Sequence, residues 1–227
     1  MIQFLDVSHS YGERQVLRHI SVDLSEHRIG IVGGNGSGKS TLARLCNGLI
    51  RPSEGRVKVH GHDTVTDLAF VRSNVGFVFQ DPDLQIVMPT VAEDLAFSLR
   101  PLKLPRQELA TRVNLWLSRY ALNTHADLGA HLLSGGQKQL LAIAAILITE
   151  PQIVIFDEPT TLLDLKNKLK IMEVIDHLPQ QIIVVTHDLD SLTDFDRVIV
   201  LDQGEVAYDG PPVPTLQAYR ALVMAED

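Results

Sequence analysis

The chain has few residues that could crosslink it and no segment long enough to span a bilayer. Cys46 is the only cysteine among 227 residues, so an internal disulfide is excluded, and we expect this thiol to pack as a small buried apolar group. The longest apolar run, residues 140–148, is far shorter than a transmembrane helix. The first residues alternate like a strand and lack the basic and apolar blocks of a signal peptide. We therefore expect a cytosolic protein that reaches a membrane only through a partner.

Basic residues are also in short supply. Lysine and arginine together number 20, against 28 aspartate and glutamate residues, which gives a formal net charge of −8. Proteins that bind nucleic acid usually present a basic face, so we expect no nucleic-acid partner. A tetrahedral zinc site needs several cysteine and histidine ligands at suitable spacing, and the sequence around the histidines does not provide them. We therefore interpret all the histidines except His187 as surface or loop residues. With 45% hydrophobic residues, the chain can bury the core of one large α/β domain.

The most informative segment is a glycine-rich loop at residues 33–41, which reads Gly33-Gly34-Asn35-Gly36-Ser37-Gly38-Lys39-Ser40-Thr41. It has the G-x-x-x-x-G-K-S spacing of a phosphate-binding P-loop, with a strand-like run before it and a helical pattern after it. Glycines let successive backbone N–H groups curl around an anion, and the positive end of the following helix points at the same place. In this motif the lysine meets the β- and γ-phosphates and the serine hydroxyl ligates Mg²⁺. The spacing predicts a nucleotide site; a glycine turn that happens to precede a lysine is the structural alternative.

Three apolar, β-branched runs predict parallel strands that are buried on both faces, at residues 29–32, 153–156 and 182–185. Each run ends at a residue that can contact a ligand, and because ligands bind at the carboxyl ends of such strands, the three segments should serve one edge of one sheet. Antiparallel strands are expected at residues 2–7, 16–24 and 56–60, and a hairpin at 197–209. The region from about residue 84 to residue 150 is predicted to be mainly helical.

Two further motifs extend the candidate site. The strand at 153–156 ends in Asp157 and Glu158, where the first carboxylate can hold Mg²⁺ beside the phosphates and the second can reach an attacking water. A second helix opens at an anion-friendly start formed by Ser134, Gly135, Gly136 and Gln137. A strand that ends in Asp-Glu and a capped helix are each common by themselves. A second phosphate-type cradle in one chain is harder to explain by folding alone.

With these motifs the chain resembles the ATP-binding cassette (ABC) ATPases over nearly its whole length. Residues 133–137 match the family's signature sequence. Four single residues match the aromatic group that stacks on adenine, the Q-loop glutamine, the D-loop aspartate and the switch histidine: Tyr11, Gln80, Asp164 and His187. Alone, a tyrosine or histidine at these places would be interpreted as packing or as a strand cap. In the family's order, the motifs identify the chain as a member.

The resemblance implies an α/β fold of the P-loop NTPase type, the ABC ATPase fold. Its mostly parallel core sheet carries an N-terminal antiparallel β subdomain and an inserted helical subdomain. The domain is expected to cover residues 1–227. Residues 1–83 and 151–227 would form the RecA-like core with its antiparallel subdomain, and residues from about 84 to 150 the helical subdomain with the signature.

The resemblance also implies roles in ATP hydrolysis. Lys39 and the backbone amides of residues 33–41 would hold the phosphates. Ser40 and Gln80 would ligate Mg²⁺ directly, and Asp157 mostly through water. Glu158 would be the general base, and His187 would contact the γ-phosphate. Residues 134–137 and Asp164 would act in trans, on nucleotide held by a second ATPase subunit. One P-loop and one signature cannot complete this site alone, so we expect an ATP-dependent homodimer, with a heterodimer of similar subunits as the alternative.

Residues 79–97 resemble the Q-loop and the following helix of energy-coupling factor (ECF) ATPases, which drive uptake of vitamins, nickel or cobalt. Ser98 stands where that family usually has glycine, and Asp81 where asparagine is frequent. In these proteins the helix lines a groove for an integral-membrane coupling protein. We therefore expect docking between Gln80 and Phe97, an indirect link to a substrate-binding membrane protein, and a peripheral location on the cytoplasmic face of the cell (inner) membrane. The alternative is a helix that only packs within its own subdomain.

The cargo does not contact the ATPase of a transporter, so the sequence leaves it open. The chain ends soon after a helix expected at about 216–223, which resembles systems with a single dedicated ATPase and favours biotin over cobalt or nickel. A soluble ABC-type ATPase of DNA repair or translation is the second hypothesis. Such proteins typically add a coiled-coil insertion, zinc cysteines or a second cassette, and residues 41–132 show no sustained heptads.

Overall fold

A computed structural model describes residues 1–225, and their contacts divide the chain into two compact units. The first unit comprises residues 1–75 and 152–158 and the carboxyl-terminal segment from Pro179, and the second comprises residues 76–151 and 159–178. The predicted subdomain boundaries differ from this division, because the helix after residue 164 packs on the helix at 135–147 and joins the second unit. The assignment of functional domains stays a prediction.

The strands and helices of the described residues are numbered in chain order. The strands are β1 (Ile2–Tyr11), β2 (Arg14–Leu24), β3 (Arg28–Gly33), β4 (Glu54–Val59), β5 (His62–Asp63), β6 (Val75–Val78), β7 (Ile153–Asp157), β8 (Gln181–Val185), β9 (Arg197–Asp202) and β10 (Glu205–Gly210). The helices are α1 (Lys39–Cys46), α2 (Leu68–Asn74), α3 (Val91–Ser98), α4 (Arg106–Arg119), α5 (Gly135–Leu147), α6 (Leu165–Asp176) and α7 (Pro212–Ala225).

The first unit contains an antiparallel sheet in the order β2-β1-β4-β5. Its inner face carries fully buried apolar side chains, among them Ile2 and Phe4. The register of β1 against β2 shifts between Val7 and His9 and again between His9 and Ser10. Such irregularities re-aim side chains near the end of a strand. His9 corrects one expectation, since it is a buried strand residue at 7% exposure and not a surface or loop histidine.

The larger sheet of the first unit carries the predicted site. Its strands there run in the order β10-β9-β3-β8-β7, with β9, β3, β8 and β7 parallel and β10 antiparallel to β9. The three runs expected to be buried parallel strands therefore lie side by side, and their carboxyl ends share one edge. The hairpin predicted at 197–209 is also present, as β9 and β10. Cys46 is buried on α1, as expected.

The second unit is mainly helical, as predicted for residues 84–150. Helix α3 begins with a capping box, in which Thr90 and Glu93 satisfy each other's backbone N–H groups. Helix α4 buries Val113 and Trp116 on one face. No helix within residues 1–225 combines the length and apolar character needed to cross a membrane.

Candidate functional site

The P-loop lies where β3 ends and α1 begins. Gly36 and Gly38 have φ values of 79° and 105°, a region that L side chains rarely adopt. A Cβ on Gly38 would lie 2.6 Å from a methyl carbon of Leu17 and 3.0 Å from the carbonyl oxygen of Val16. Helix α1 starts at Lys39, directly after this turn. The glycines therefore allow the turn that leads the chain into the helix N-terminus, and Gly38 also leaves room for β2 beside it.

Lys39 folds back on the loop that precedes it. Its Nζ donates hydrogen bonds of 2.9 Å to the carbonyl oxygens of Gly33 and Gly34. Burial lowers the pKa of Lys39, while the nearby charges of Glu158 and Asp157 act in the opposite direction. A buried ammonium whose hydrogen-bond acceptors are neutral carbonyls is suited to an anionic ligand.

Ser40 and Asp157 meet across α1 and β7. The Ser40 hydroxyl donates to Asp157 Oδ1 over 2.8 Å, and the Asp157 side chain is only 4% exposed. Burial raises the pKa of Asp157, although the bond from Ser40 and the Arg44 guanidinium, 3.9 Å from Oδ2, oppose this. A hydroxyl and a carboxylate held together are the hard oxygen donors that Mg²⁺ prefers, so the residues present fit that ion. Arg44, which lies on α1 just beyond the P-loop, was not predicted as a member of the site.

Glu158 and His187 form a close pair at the ends of β7 and β8. His187 Nδ1 and Glu158 Oε2 are 2.7 Å apart, and the Glu158 backbone N–H donates to Val185 O over 2.9 Å. Glu158 has a φ of 53°, a left-handed conformation that costs a non-glycine residue about 1–2 kcal/mol. Strain of this kind is found at functional sites, where the surroundings hold it. Here the surrounding strand bonds aim the carboxylate at His187.

An open cleft of about 300 Å³ lies beside the P-loop in the first unit. Its lining comprises Tyr11, Arg14, Val16, Gly36, Gly38, Lys39, Ser40 and Thr41. Tyr11 is 49% exposed, so its ring is available to a ligand in the cleft. Arg14 was not anticipated, although a basic residue shortly after the tyrosine was a readable signal. The cleft joins the predicted adenine platform to the predicted phosphate cradle.

In the second unit the signature residues have structural partners of their own. Ser134 caps α5 through a capping box, accepting from Gln137 N–H, while Gln137 Oε1 accepts from Ser134 N–H over 2.9 Å. Gln137 Nε2 also lies 3.1 Å from His125 Nε2, a contact that the sequence did not suggest. Gly136 packs so closely on Asn167 that any Cβ would collide with it. Local packing therefore accounts for part of this motif.

Gln80 and Asp164 also lie in the second unit. Gln80 is exposed after β6 and lines a cavity of about 160 Å³ with Gln139 and Leu163 among others. Asp164 caps α6, where its Oδ1 accepts from Asn167 N–H over 2.8 Å. The structure thus brings together the first-unit residues Tyr11, those of the P-loop, Asp157, Glu158 and His187. The roles of Gln80, residues 134–137 and Asp164 toward nucleotide stay predictions.

Known protein families, sequences and solved structures include several that are similar to this chain. The family model described as ABC transporter matches residues 17–161. A Deinococcus radiodurans protein, whose name specifies an ABC transporter ATP-binding protein and no cargo, is 56% identical over 220 residues, which is 97% of each chain. The biotin transport ATP-binding protein BioM of Rhizobium etli is 43% identical over 221 residues, covering 97% of this chain and 98% of that one. The energy-coupling factor transporter ATP-binding protein EcfA1 of Bacillus subtilis is 40% identical over 218 residues, covering 93% and 78%.

Two solved structures share the fold. The chain superposes on cbiO1 from Clostridium perfringens, described as part of the ABC transporter complex cbiONQ, with a TM-score of 0.84, 32% identity, and 99% and 93% of the two chains covered. It superposes on the dimeric ATP-binding cassette MJ0796, bound to ADP and Pi, with a TM-score of 0.81, 30% identity, and 93% and 99% covered. The expected fold class is confirmed. The chain belongs to the ABC transporter family, as an ATP-hydrolysing subunit of the energy-coupling factor type.

Proposed function

We propose that this ATPase powers the uptake of biotin through an integral-membrane partner. The observation that supports biotin as the transported substrate is the match to BioM of Rhizobium etli. The two chains are 43% identical, and the match covers 97% of this chain and 98% of the relative. Because an ATPase subunit does not contact cargo, the cargo is inferred from this full-length similarity and from no residue of the site. A transition-metal cargo is the outcome that would replace it.

The first-unit residues support a hydrolytic mechanism based on positioning and charge. Mg²⁺, when bound with ATP, would neutralise phosphate charge. Ser40 and Asp157, which are joined by a 2.8 Å hydrogen bond, would hold the ion on the first unit. The family resemblance implies Gln80 as a further ligand. The Lys39 ammonium would exchange its carbonyl partners for the β- and γ-phosphates. Glu158 would accept a proton from the attacking water, and His187, 2.7 Å away, would orient that carboxylate and contact the γ-phosphate.

Two copies of the chain would form the working enzyme. Each copy contributes one P-loop and one signature helix start, and a dimeric solved relative has 30% identity to this chain. Ser134, Gly135 and Asp164 of one copy would close on nucleotide held by the other. Helix α5 is suited to this because its N-terminal turn presents backbone N–H groups to an anion.

The second unit offers a docking surface for the membrane partner. Leu84 is 73% exposed, Val87 61% and Phe97 39%, all within the segment where docking is expected. Val87 and Phe97 also line a mostly apolar groove of about 370 Å³. Exposed apolar patches on soluble domains frequently mark interaction sites. Docking here would place the ATPase at the cytoplasmic face of the inner membrane.

Copurification tests the partner and the cargo together. Tagged protein purified from detergent-solubilised membranes of its native host should retain an integral-membrane protein and a small substrate-binding membrane protein. Vesicles containing that complex should accumulate labelled biotin only with ATP inside the compartment that holds the ATPase. Phe97→Asp should abolish the copurification, whereas Leu115→Asp, at a leucine on α4 that is 65% exposed, should not. Accumulation of Co²⁺ or Ni²⁺ instead of biotin would refute the cargo, and recovery only as a soluble complex with nucleic acid would refute the transporter assignment.

A further inference from the structure

His9 is a buried polar residue for which the fold supplies no hydrogen-bond partner. Its side chain lies on β1 at 7% exposure, and within residues 1–225 neither Nδ1 nor Nε2 has a hydrogen-bond partner. A neutral imidazole always carries one N–H donor and one acceptor nitrogen. Because most buried polar atoms in native proteins are paired, an unpaired imidazole calls for an explanation other than folding.

His9 makes a ring contact with Tyr11, the candidate adenine platform. The His9 and Tyr11 rings have centroids 4.7 Å apart and planes 83° apart, a perpendicular aromatic pair. This arrangement is among those that aromatic rings prefer. The register shifts of β1 on both sides of His9 accompany the placement of the two rings against each other.

The contact matters because much of Tyr11 is exposed to solvent. The residue is 49% exposed and lines the cleft, and a stacking platform binds a base more tightly when it is already held in one rotamer. An unsupported exposed ring would lose rotamer freedom when a base stacks on it, which weakens binding. A second ring that packs against the platform removes much of that loss in advance.

We infer that His9 is a positioning residue that holds the Tyr11 ring for adenine. The inference rests on the proposed function, because it takes Tyr11 as the surface on which the base of ATP stacks. His9 does not line the cleft beside the P-loop. Its effect should therefore be confined to ligands that carry a base.

The test is a double-mutant cycle with two ligands. Binding of ATP and of inorganic tripolyphosphate, which lacks the base, is measured by calorimetry for wild type, His9→Leu, Tyr11→Leu and the double variant. His9→Leu should weaken ATP about fivefold, leave tripolyphosphate unchanged, and raise KM with kcat within about twofold. It should add nothing in the Tyr11→Leu background. His9→Phe, which restores a ring, should bind ATP nearly as wild type does, and His177→Leu, at an exposed histidine that does not line the cleft, is the matched control.

Each contrary result points to a specific failure. If His9→Leu weakens both ligands equally, or still weakens ATP in the Tyr11→Leu background, the residue acts on the fold or the P-loop and the inference is wrong. If His9→Phe binds ATP as poorly as His9→Leu, the ring contact is irrelevant, and this comparison holds even where the leucine variant folds poorly. If Tyr11→Leu weakens ATP but His9→Leu does not, only the inference fails. If Tyr11→Leu leaves ATP binding intact, the proposed platform itself is refuted.

Discussion

Replacing Glu158 by glutamine removes one proton acceptor and little else. The substitution keeps the volume of the side chain and an oxygen that can still face His187 Nδ1, which lies 2.7 Å from Glu158 Oε2. Glu158 φ is 53°, and glutamine meets the same backbone strain as glutamate, so the strand end should keep its shape. What is lost is the carboxylate that would take a proton from water.

The expected magnitudes separate chemistry from stability. The Glu158 side chain is 14% exposed and the His187 side chain 65%, so solvent screens the pair and its loss should change the free energy of unfolding by less than about 1 kcal/mol. Loss of a general base typically costs a factor of about 10²–10⁴ in turnover. Hydrolysis should therefore collapse in a protein that folds and binds ATP normally.

Three measurements check this together. Phosphate release at saturating Mg-ATP gives kcat, calorimetry gives the dissociation constant for ATP, and size-exclusion chromatography with ATP reports the dimer. Glu158→Gln should retain ATP, remain dimeric and turn over slowly. Glu173→Gln, at an exposed glutamate on α6, removes the same charge elsewhere and should leave kcat unchanged. A Glu158→Gln protein that hydrolyses ATP within about threefold of wild type would refute the assignment of Glu158 as the base.

Three further substitutions test the site and the fold. Gly38→Ala should abolish ATP binding and cost about 1–3 kcal/mol of unfolding free energy, because alanine at φ 105° is strained and its Cβ meets β2; urea titration and calorimetry measure the two effects. Asp157→Asn should abolish Mg-ATP hydrolysis yet raise the Tm of the nucleotide-free protein at neutral pH. Burial raises the pKa of Asp157 above its value in the unfolded chain, so the wild-type protein loses stability as the pH rises and the carboxyl ionises. The Tm advantage of the asparagine variant, measured by thermal melts, should therefore shrink toward about pH 4, where the carboxyl is protonated in wild type. Arg197→Ala should lower the free energy of unfolding, measured by urea titration, by about 2 kcal/mol, because Arg197 donates to both carboxylate oxygens of Asp209 and also to Glu26. Arg197→Lys should recover only part of that loss. Equal stability of wild type and Arg197→Ala would show that this cluster contributes nothing.

The local elements could be predicted because their causes are local. The β-branched runs that became β3, β7 and β8 are apolar throughout, which is how a strand covered on both faces must read. The P-loop was readable because its glycine spacing is contained in nine consecutive residues, although the close approach of β2 to Gly38 became visible only in the fold. The first strand, by contrast, was predicted to end at residue 7, but β1 continues to Tyr11. Its last residues are mostly polar and pair with β2 in an irregular register, so the sequence pattern did not indicate a strand there.

Several members of the site could not be found by reading the sequence. Arg44 and His125 are ordinary residues of their segments, and only contacts made in the fold show their neighbours, Asp157 and Gln137. His9 was expected at the surface or in a loop because the predicted first strand ended at residue 7; in the structure β1 continues through two register shifts, and His9 is buried in it against Tyr11. Gly136 was predicted to belong to an anion-binding helix start, with a capped helix as the alternative, and the close approach of Asn167 also requires glycine there.

The sequence by itself determined the local elements of this protein, namely the glycine turn of the P-loop, the buried strands and the helix starts, because these depend on interactions over a few residues. Which of those groups touch was decided by tertiary structure. The 2.8 Å bond between Ser40 and Asp157 joins segments far apart in the chain, and the strained Glu158 is aimed at His187 by the neighbouring strand β8. Contacts of that kind depend on sheet order and register, which are set by the packing of the whole core and are not visible in any short stretch of sequence.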